Sequence, residues 1–195
     1  ALAARVRRLS GTVIVADAES DADLDALVDA ALAAAPTPLL VGSAGLARAL
    51  AARLGLLGER AELPGGGRWL VVAGSLHPAT RRQIREARAA GLTVLATAER
   101  ASGDRAEAVA RLIEQATSAL QQEAWDLVVV TGGETAVALW GALGAERLDL
   151  VGAPAPGLAL GQLRVPGREP LAVLTKAGGF GPPDLLVSLQ KEAVV

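Results

Sequence analysis

The 195-residue chain carries 19 Lys and Arg against 21 Asp and Glu, with 51% hydrophobic and 21% charged residues. That is the composition of a folded chain. It excludes a disordered acidic tail and a generally basic nucleic-acid surface, and an aromatic content of 2% excludes a platform for stacking bases.

No apolar run is long enough to span a bilayer, no secretory pattern follows the basic residues of the opening ALAARVRRLS, and there is no cysteine. A cytoplasmic location is therefore expected. A chain that opens ALAAR and contains no methionine is also expected to lack its natural start.

Residues 12–16 (TVIVA) form an apolar run that predicts a buried strand. Leu24, Leu27, Val28, Ala31 and Leu32 then recur at helical spacing, predicting an amphipathic helix over 21–35 that stops near Pro36. A second strand is predicted at 39–41 and a second helix at 46–54, ended by Gly55. This alternation is the grammar of a parallel sheet with crossover helices. Pro64 and the triplet Gly65, Gly66 and Gly67 predict a loop over 57–68, the one candidate domain boundary.

Beyond it, a strand is expected at 69–73, a turn at 74–76 and a helix at 77–90, with Pro78 suited to its first position and Gly91 to its exit. Residues 92–96 return to strand, 99–105 read as a polar loop, and Val109, Leu112, Ile113, Ala116 and Leu120 mark a helix over 106–123. The valine-rich run 127–130 is a buried strand, 131–135 a strand-to-helix turn, and the residues up to Gly144 a helix.

After Gly144, Pro154, Pro156, Gly157 and Gly161 predict broken structure. Two short strands at 163–165 and 171–175 make a candidate antiparallel hairpin at a sheet edge. A glycine-rich loop at 176–181 precedes a helix opened by Pro182 and running toward Gln190. The expected fold is α/β, a three-layer αβα arrangement around a mainly parallel sheet.

Three glycine-bearing loops follow predicted strands: Gly74-Ser75, Thr131 to Thr135, and Lys176 to Gly181. Ligands of open parallel sheets gather at the carboxyl ends of the strands, so these loops are expected to converge. None carries either of the common nucleotide fingerprints, G-x-x-x-x-G-K-S/T or G-x-G-x-x-G. The 131–135 turn reads first as a plain tight turn and second as a cradle of backbone N–H groups at the positive end of a helix.

Lys176 could neutralise phosphate charge or simply face solvent before a turn. Ser75 could donate its hydroxyl to a phosphate or simply cap the following turn, and Glu134 could orient a magnesium-bound water, contact a ribose or favour the helix dipole. The sole histidine, His77, reads as a cap or packing group, and the sole phenylalanine, Phe180, as a plug for its loop. Arg81, Arg82, Arg85 and Arg88 read as a solvated basic face.

Four blocks, VADAESDADLDAL with VGSAGLARALA, VVAGSLHPATRRQI, VVVTGGETAVALWGALG, and PLAVLTKAGGFGPPDLL, resemble the four-carbon acid sugar kinases, once a domain of unknown function. The resemblance covers nearly the whole chain, and GGET together with KAGGFG is what makes it specific. It implies a two-domain, ATP-dependent kinase using Mg²⁺. Residues 1–66 resemble the end of the acid-sugar domain, whose front part is absent here, and 67–195 the nucleotide domain.

Position by position, Ser75 resembles the family serine near ATP, Gly132, Gly133, Glu134 and Thr135 its nucleotide loop, and Gly178 the glycine of its last loop. Lys176 and Gly179 join the set by proximity and electrostatics rather than by resemblance. The interval from Gly74-Ser75 to Gly132 is shorter than the family leads one to expect, as though a strand and helix between about Glu99 and Ala106 were missing.

The reaction implied is phosphorylation of a tetronate or 3-oxo-tetronate at its terminal hydroxyl, with the general base supplied by the acid-sugar domain and this chain alone binding nucleotide at best. A homo-oligomer is compatible with the sequence. Two rivals stand beside this reading: a non-kinase sugar-phosphate enzyme, and a non-catalytic nucleotide-sensing domain.

Overall fold

A computed structural model describes residues 2–9, 11–65, 67–98 and 104–194. The chain forms two compact units, Ala1–Glu59 and Arg60–Val195. The expected loop at 99–105 lies largely outside the described residues, as does Gly66 of the glycine triplet.

The first unit holds α1 (Leu2–Arg8), α2 (Asp21–Leu32) and α3 (Ala44–Arg53). Helix α2 begins with a reciprocal cap: Asp23 N donates to the Ser20 hydroxyl, and Ser20 N donates to the Asp23 carboxylate at 3.0 Å. The strands expected at 12–16 and 39–41 do not form. Val13 is 94% and Leu39 89% exposed. A strand exists only through a ladder partner, and neither run has one among the described residues of this unit. Helix α1, by contrast, was not anticipated.

The second unit begins with a segment expected to be linker but fastened instead. Arg60 donates to the Pro154 carbonyl and pairs with Glu192 at 2.8 Å, and Ala61 N donates to Ala153 O at 3.4 Å. Its sheet comprises β1 (Trp69–Ala73), β2 (Thr93–Ala96), β3 (Leu127–Thr131), β4 (Arg147–Gly152), β5 (Leu158–Arg164) and β6 (Leu171–Lys176), in the order β2-β1-β3-β6-β5-β4. Pairs β1–β2, β1–β3 and β3–β6 are parallel, whereas β5 is antiparallel to both of its neighbours. The expected hairpin is thus β5–β6, but β4, which was not anticipated, takes the edge beyond it.

Every residue of β1 and β3 is buried, which explains why their sequences, WLVVA and LVVVT, are continuous rather than alternating. Alternate side chains still serve opposite layers. Trp69, Val71, Leu127, Val129 and Leu174 pack with Ala87 of α4 (Pro78–Ala89) and Leu186 and Leu189 of α7 (Leu185–Val194). On the other face Leu70, Val72, Val128, Val130 and Val173 pack with Leu112, Ile113 and Ala116 of α5 (Arg105–Gln122) and Ala136 and Leu139 of α6 (Gly133–Ala142). The result is three layers, αβα. No described helix is long and apolar enough to cross a membrane.

Candidate functional site

The topology places three strand ends side by side. β1, β3 and β6 are adjacent and parallel, and their last residues are in register, Ala73 opposite Thr131 and Thr131 opposite Lys176. The loops that leave them emerge from one edge of the sheet. Because the chain passes from β1 to β2 on one side and later from β2 to β3 on the other, this edge is also where the strand order reverses, the usual place for a ligand crevice.

Contacts between the loops are close. A β-carbon on Gly178 would lie 2.8 Å from Ser75 Oγ and 3.7 Å from His77 Cβ, and one on Gly179 would lie 3.4 Å from His77 Nε2. A β-carbon on Gly132 would sit 3.7 Å from Ser75 N, and one on Gly74 would collide with Thr135 Oγ1. Gly132 also has φ +99°, a conformation open to glycine at little cost. Ser75, Gly132, Thr135, Gly178 and Gly179 are therefore brought together.

Helix α6 starts in this cluster, with Gly132 as an N-cap lacking any side-chain cap hydrogen bond. The first N–H groups of a helix have no intrahelical partners, so an uncapped start beside glycine turns is suited to an anion. At the floor, Thr131 Oγ1 is buried without a hydrogen-bond partner. Gly133 and Glu134 open the helix on the exposed side. Glu134 pairs with Arg105 at 2.8 Å and borders a groove of about 1030 Å³ between α5 and α6, away from the Ser75–Gly178 contact.

Lys176 does not offer a free ammonium. It is 2% exposed, and Nζ donates to the carbonyls of Ala177 at 2.8 Å, Phe180 at 3.0 Å and Gly178 at 3.4 Å. Burial pulls its pKa down from 10.5 to about 8. Neither sequence alternative, a phosphate contact or a solvent-facing side chain, describes this arrangement, in which the amine is turned into its own loop.

Other side chains fall into place around the cluster. His77 caps α4, its Nδ1 accepting from Ala79 N at 3.2 Å, and Ser75 Oγ accepts from His77 N at 3.3 Å. The Phe180 ring packs over Gly157 and is 48% exposed. Arg81 corrects the expected solvated face: it is buried and donates to Thr97 O at 2.6 Å and Thr97 Oγ1 at 2.9 Å, tying α4 to the chain after β2.

Thr80 and Gln83, unremarked in the sequence, reach the last loop from α4. Thr80 Oγ1 donates to Gly178 O at 2.7 Å, and Gln83 Nε2 donates to the carbonyls of Phe180, Gly181 and Pro182 at 2.9, 3.1 and 3.0 Å. The available signal was a three-residue spacing of polar groups on an otherwise core-facing stripe.

Among the described residues no group of three acidic or histidine side chains could hold a metal ion. The fold and crevice define an α/β domain with an anion-receptive carboxyl edge built from glycine loops. Comparison with known proteins is more specific. The model for a nucleotide-binding C-terminal domain matches residues 118–186, and that for a sugar-binding N-terminal domain matches residues 1–50.

Two curated relatives, the D-threonate kinases of Salmonella typhimurium and Bordetella bronchiseptica, are each 32% identical over 87% and 90% of this chain. The two domain matches and these relatives support a place in the four-carbon acid sugar kinase family. The chain spans about half the length of these relatives, 51% of each. Their alignments run over 222 and 212 positions, more than the 195 residues of this chain, so both carry internal residues with no counterpart here.

Among solved structures, a Bordetella bronchiseptica protein described as a domain of unknown function with bound citrate, a domain-swapped dimer, is 31% identical, with a TM-score of 0.57. It matches 98% of this chain and 54% of its own. A Haemophilus influenzae protein of the same family model is similar in fold alone, at 20% identity and a TM-score of 0.64 over 92% of this chain and 53% of that one.

Proposed function

We propose that this chain supplies the nucleotide-binding part of a kinase that transfers the terminal phosphoryl group of ATP to the terminal hydroxyl of a four-carbon acid sugar, a tetronate or 3-oxo-tetronate. In this reading residues 67–195 bind nucleotide and residues 1–59 belong to the acid-sugar domain, with residues 60–66, expected in that domain, joined instead to the nucleotide-binding unit. The observation that carries it is the meeting of three loops at one sheet edge, with Gly178 against Ser75 beside the uncapped start of α6.

The residues present suit ATP. The glycines at 74 and 178 let the loops close on one another, and α6 N–H groups, the Ser75 hydroxyl and the Gly178–Gly179 backbone supply donors for phosphate oxygens. Mg²⁺ would be held chiefly by the phosphates, the usual habit of this ion, with Glu134 in the first turn of α6 a carboxylate that could hold a bound water. When bound, ATP supplies the phosphoryl group and its ion neutralises charge. The protein's task is to orient the phosphates and exclude water. Lys176 contributes positive charge from behind the loop.

The names of the curated relatives support D-threonate as the first acceptor to assay. The dimer of the Bordetella structure supports self-association, and the composition supports a cytoplasmic setting. The test is phosphoryl transfer by a polypeptide that joins this chain to a complete acid-sugar domain, supplied with Mg·ATP and a panel of tetronates. Product phosphorylated at the terminal carbon supports the proposal. Saturable binding of sugar phosphates in preference to ATP, or nucleotide binding without transfer to any acid sugar, would replace it with one of the two rivals.

A further inference from the structure

The last loop is held by its carbonyls. Every backbone carbonyl from residue 177 to 182 except that of Gly179 accepts a side-chain hydrogen bond, and all the donors are three side chains: Thr80, Gln83 and Lys176. Thr80 and Gln83 are 0% exposed and Lys176 2%. The two amide hydrogens of Gln83 are shared over three carbonyls, and this crowd of acceptors fixes which end of the amide faces the loop.

A trans peptide holds each C=O antiparallel to the N–H of the next residue. With the carbonyls of Ala177 and Gly178 drawn toward the buried donors, the N–H groups of Gly178 and Gly179 are turned the other way. The same two glycines are the ones that meet Ser75 and the His77 ring. Successive N–H groups presented in this way make a concave anion site.

We propose that Thr80, Gln83 and Lys176 are positioning residues that clamp the loop by its carbonyls and so aim the Gly178 and Gly179 amides at the phosphates of the nucleotide. The proposal rests on the nucleotide-binding reading of this crevice. It reverses the expectation for Lys176: the ammonium acts through the loop rather than on the phosphate. Its cost is visible in the same place, because Gln83 Oε1 is buried with no partner, a penalty accepted to keep the amide hydrogens on the loop.

The experiment compares the 195-residue chain with its Thr80→Val, Gln83→Leu and Lys176→Met variants by Mg·ATP titration calorimetry and by amide hydrogen exchange of residues 177–182 without nucleotide. Each variant is expected to weaken ATP binding by about tenfold or more. Each is also expected to speed exchange in the loop while leaving β1 and β3 protected. Thr80→Ser, which keeps the hydroxyl, should restore both readings, and it remains informative where the larger changes impair folding.

Weakened binding in Lys176→Met with unchanged loop exchange would mean direct phosphate contact and would overturn the clamp. So would unchanged binding in Thr80→Val and Gln83→Leu. If the parent chain binds no ATP while the variants still loosen the loop, the nucleotide assignment fails and the carbonyl clamp stands by itself.

Discussion

Gly178 lies so close to Ser75 that a β-carbon on the glycine would be 2.8 Å from the serine hydroxyl oxygen. Two loops distant in sequence therefore share one surface, and the contact leaves no space for a side chain. Gly178→Ala should push Ser75 or the loop aside and weaken ATP binding by about tenfold, a loss near 1.4 kcal/mol. Calorimetric titration of the variant checks it. Because the loop lies at the sheet edge, the denaturant midpoint should move little.

Gly74 is a harsher case. A methyl group there would collide with Thr135 Oγ1, and both residues are buried at the junction of β1 and α6. Gly74→Ala is expected to cost about 1–3 kcal/mol of stability through overpacking, measurable by urea unfolding, and to weaken nucleotide binding with it. Gly132→Ala should cost a similar amount for a different reason, since φ +99° strains any residue with a β-carbon.

Thr131 is buried between β1 and β6, and its hydroxyl has no partner. Thr131→Val keeps the shape and removes an unsatisfied polar atom, so the free chain should gain about 1 kcal/mol. Equilibrium unfolding checks that sign. A drop in ATP affinity of the stabilised variant would assign the hydroxyl to the ligand.

Lys176 gives a pH dependence. Its folded pKa, lowered to about 8 by burial, lies below its ordinary value of 10.5, so between those limits the unfolded chain binds more protons. Stability contributed by this group therefore rises with pH through that window, and is lowest below pH 8, where the charged form must stay buried. The difference in unfolding free energy between the parent and Lys176→Met, followed from pH 7 to pH 10.5, should move in favour of the parent as pH increases. A flat difference would contradict it.

The sequence revealed the elements whose formation depends on burial. β1 and β3 are continuous apolar runs between glycines, and α4 and α5 show their core stripes and caps, so their bounds were readable to within a residue or two. β4 was not readable because RLDLVG is a half-exposed edge with Arg147 and Asp149 in it, held by its pairing with β5. The opposite error arose at 12–16 and 39–41, where short apolar runs suggested strands that have no ladder partner among the described residues of their unit.

The site divides in the same way. That the loops after β1, β3 and β6 would meet followed from the rule of parallel strands and from glycine placement. Which way Lys176 points did not, since that is decided by the carbonyls of a loop whose path no local pattern encodes. The same holds for Thr80 and Gln83, whose partners lie 98 and 97 to 99 residues away.

The most direct measurement of the central claim is a titration of the folded 195-residue chain with Mg·ATP, with the Ser75→Ala and Gly178→Ala variants alongside. The account predicts one saturable site in the parent, displaced by ADP and weakened by both substitutions. A well-folded chain that takes up no nucleotide, or takes it up equally well with both residues changed, would contradict it.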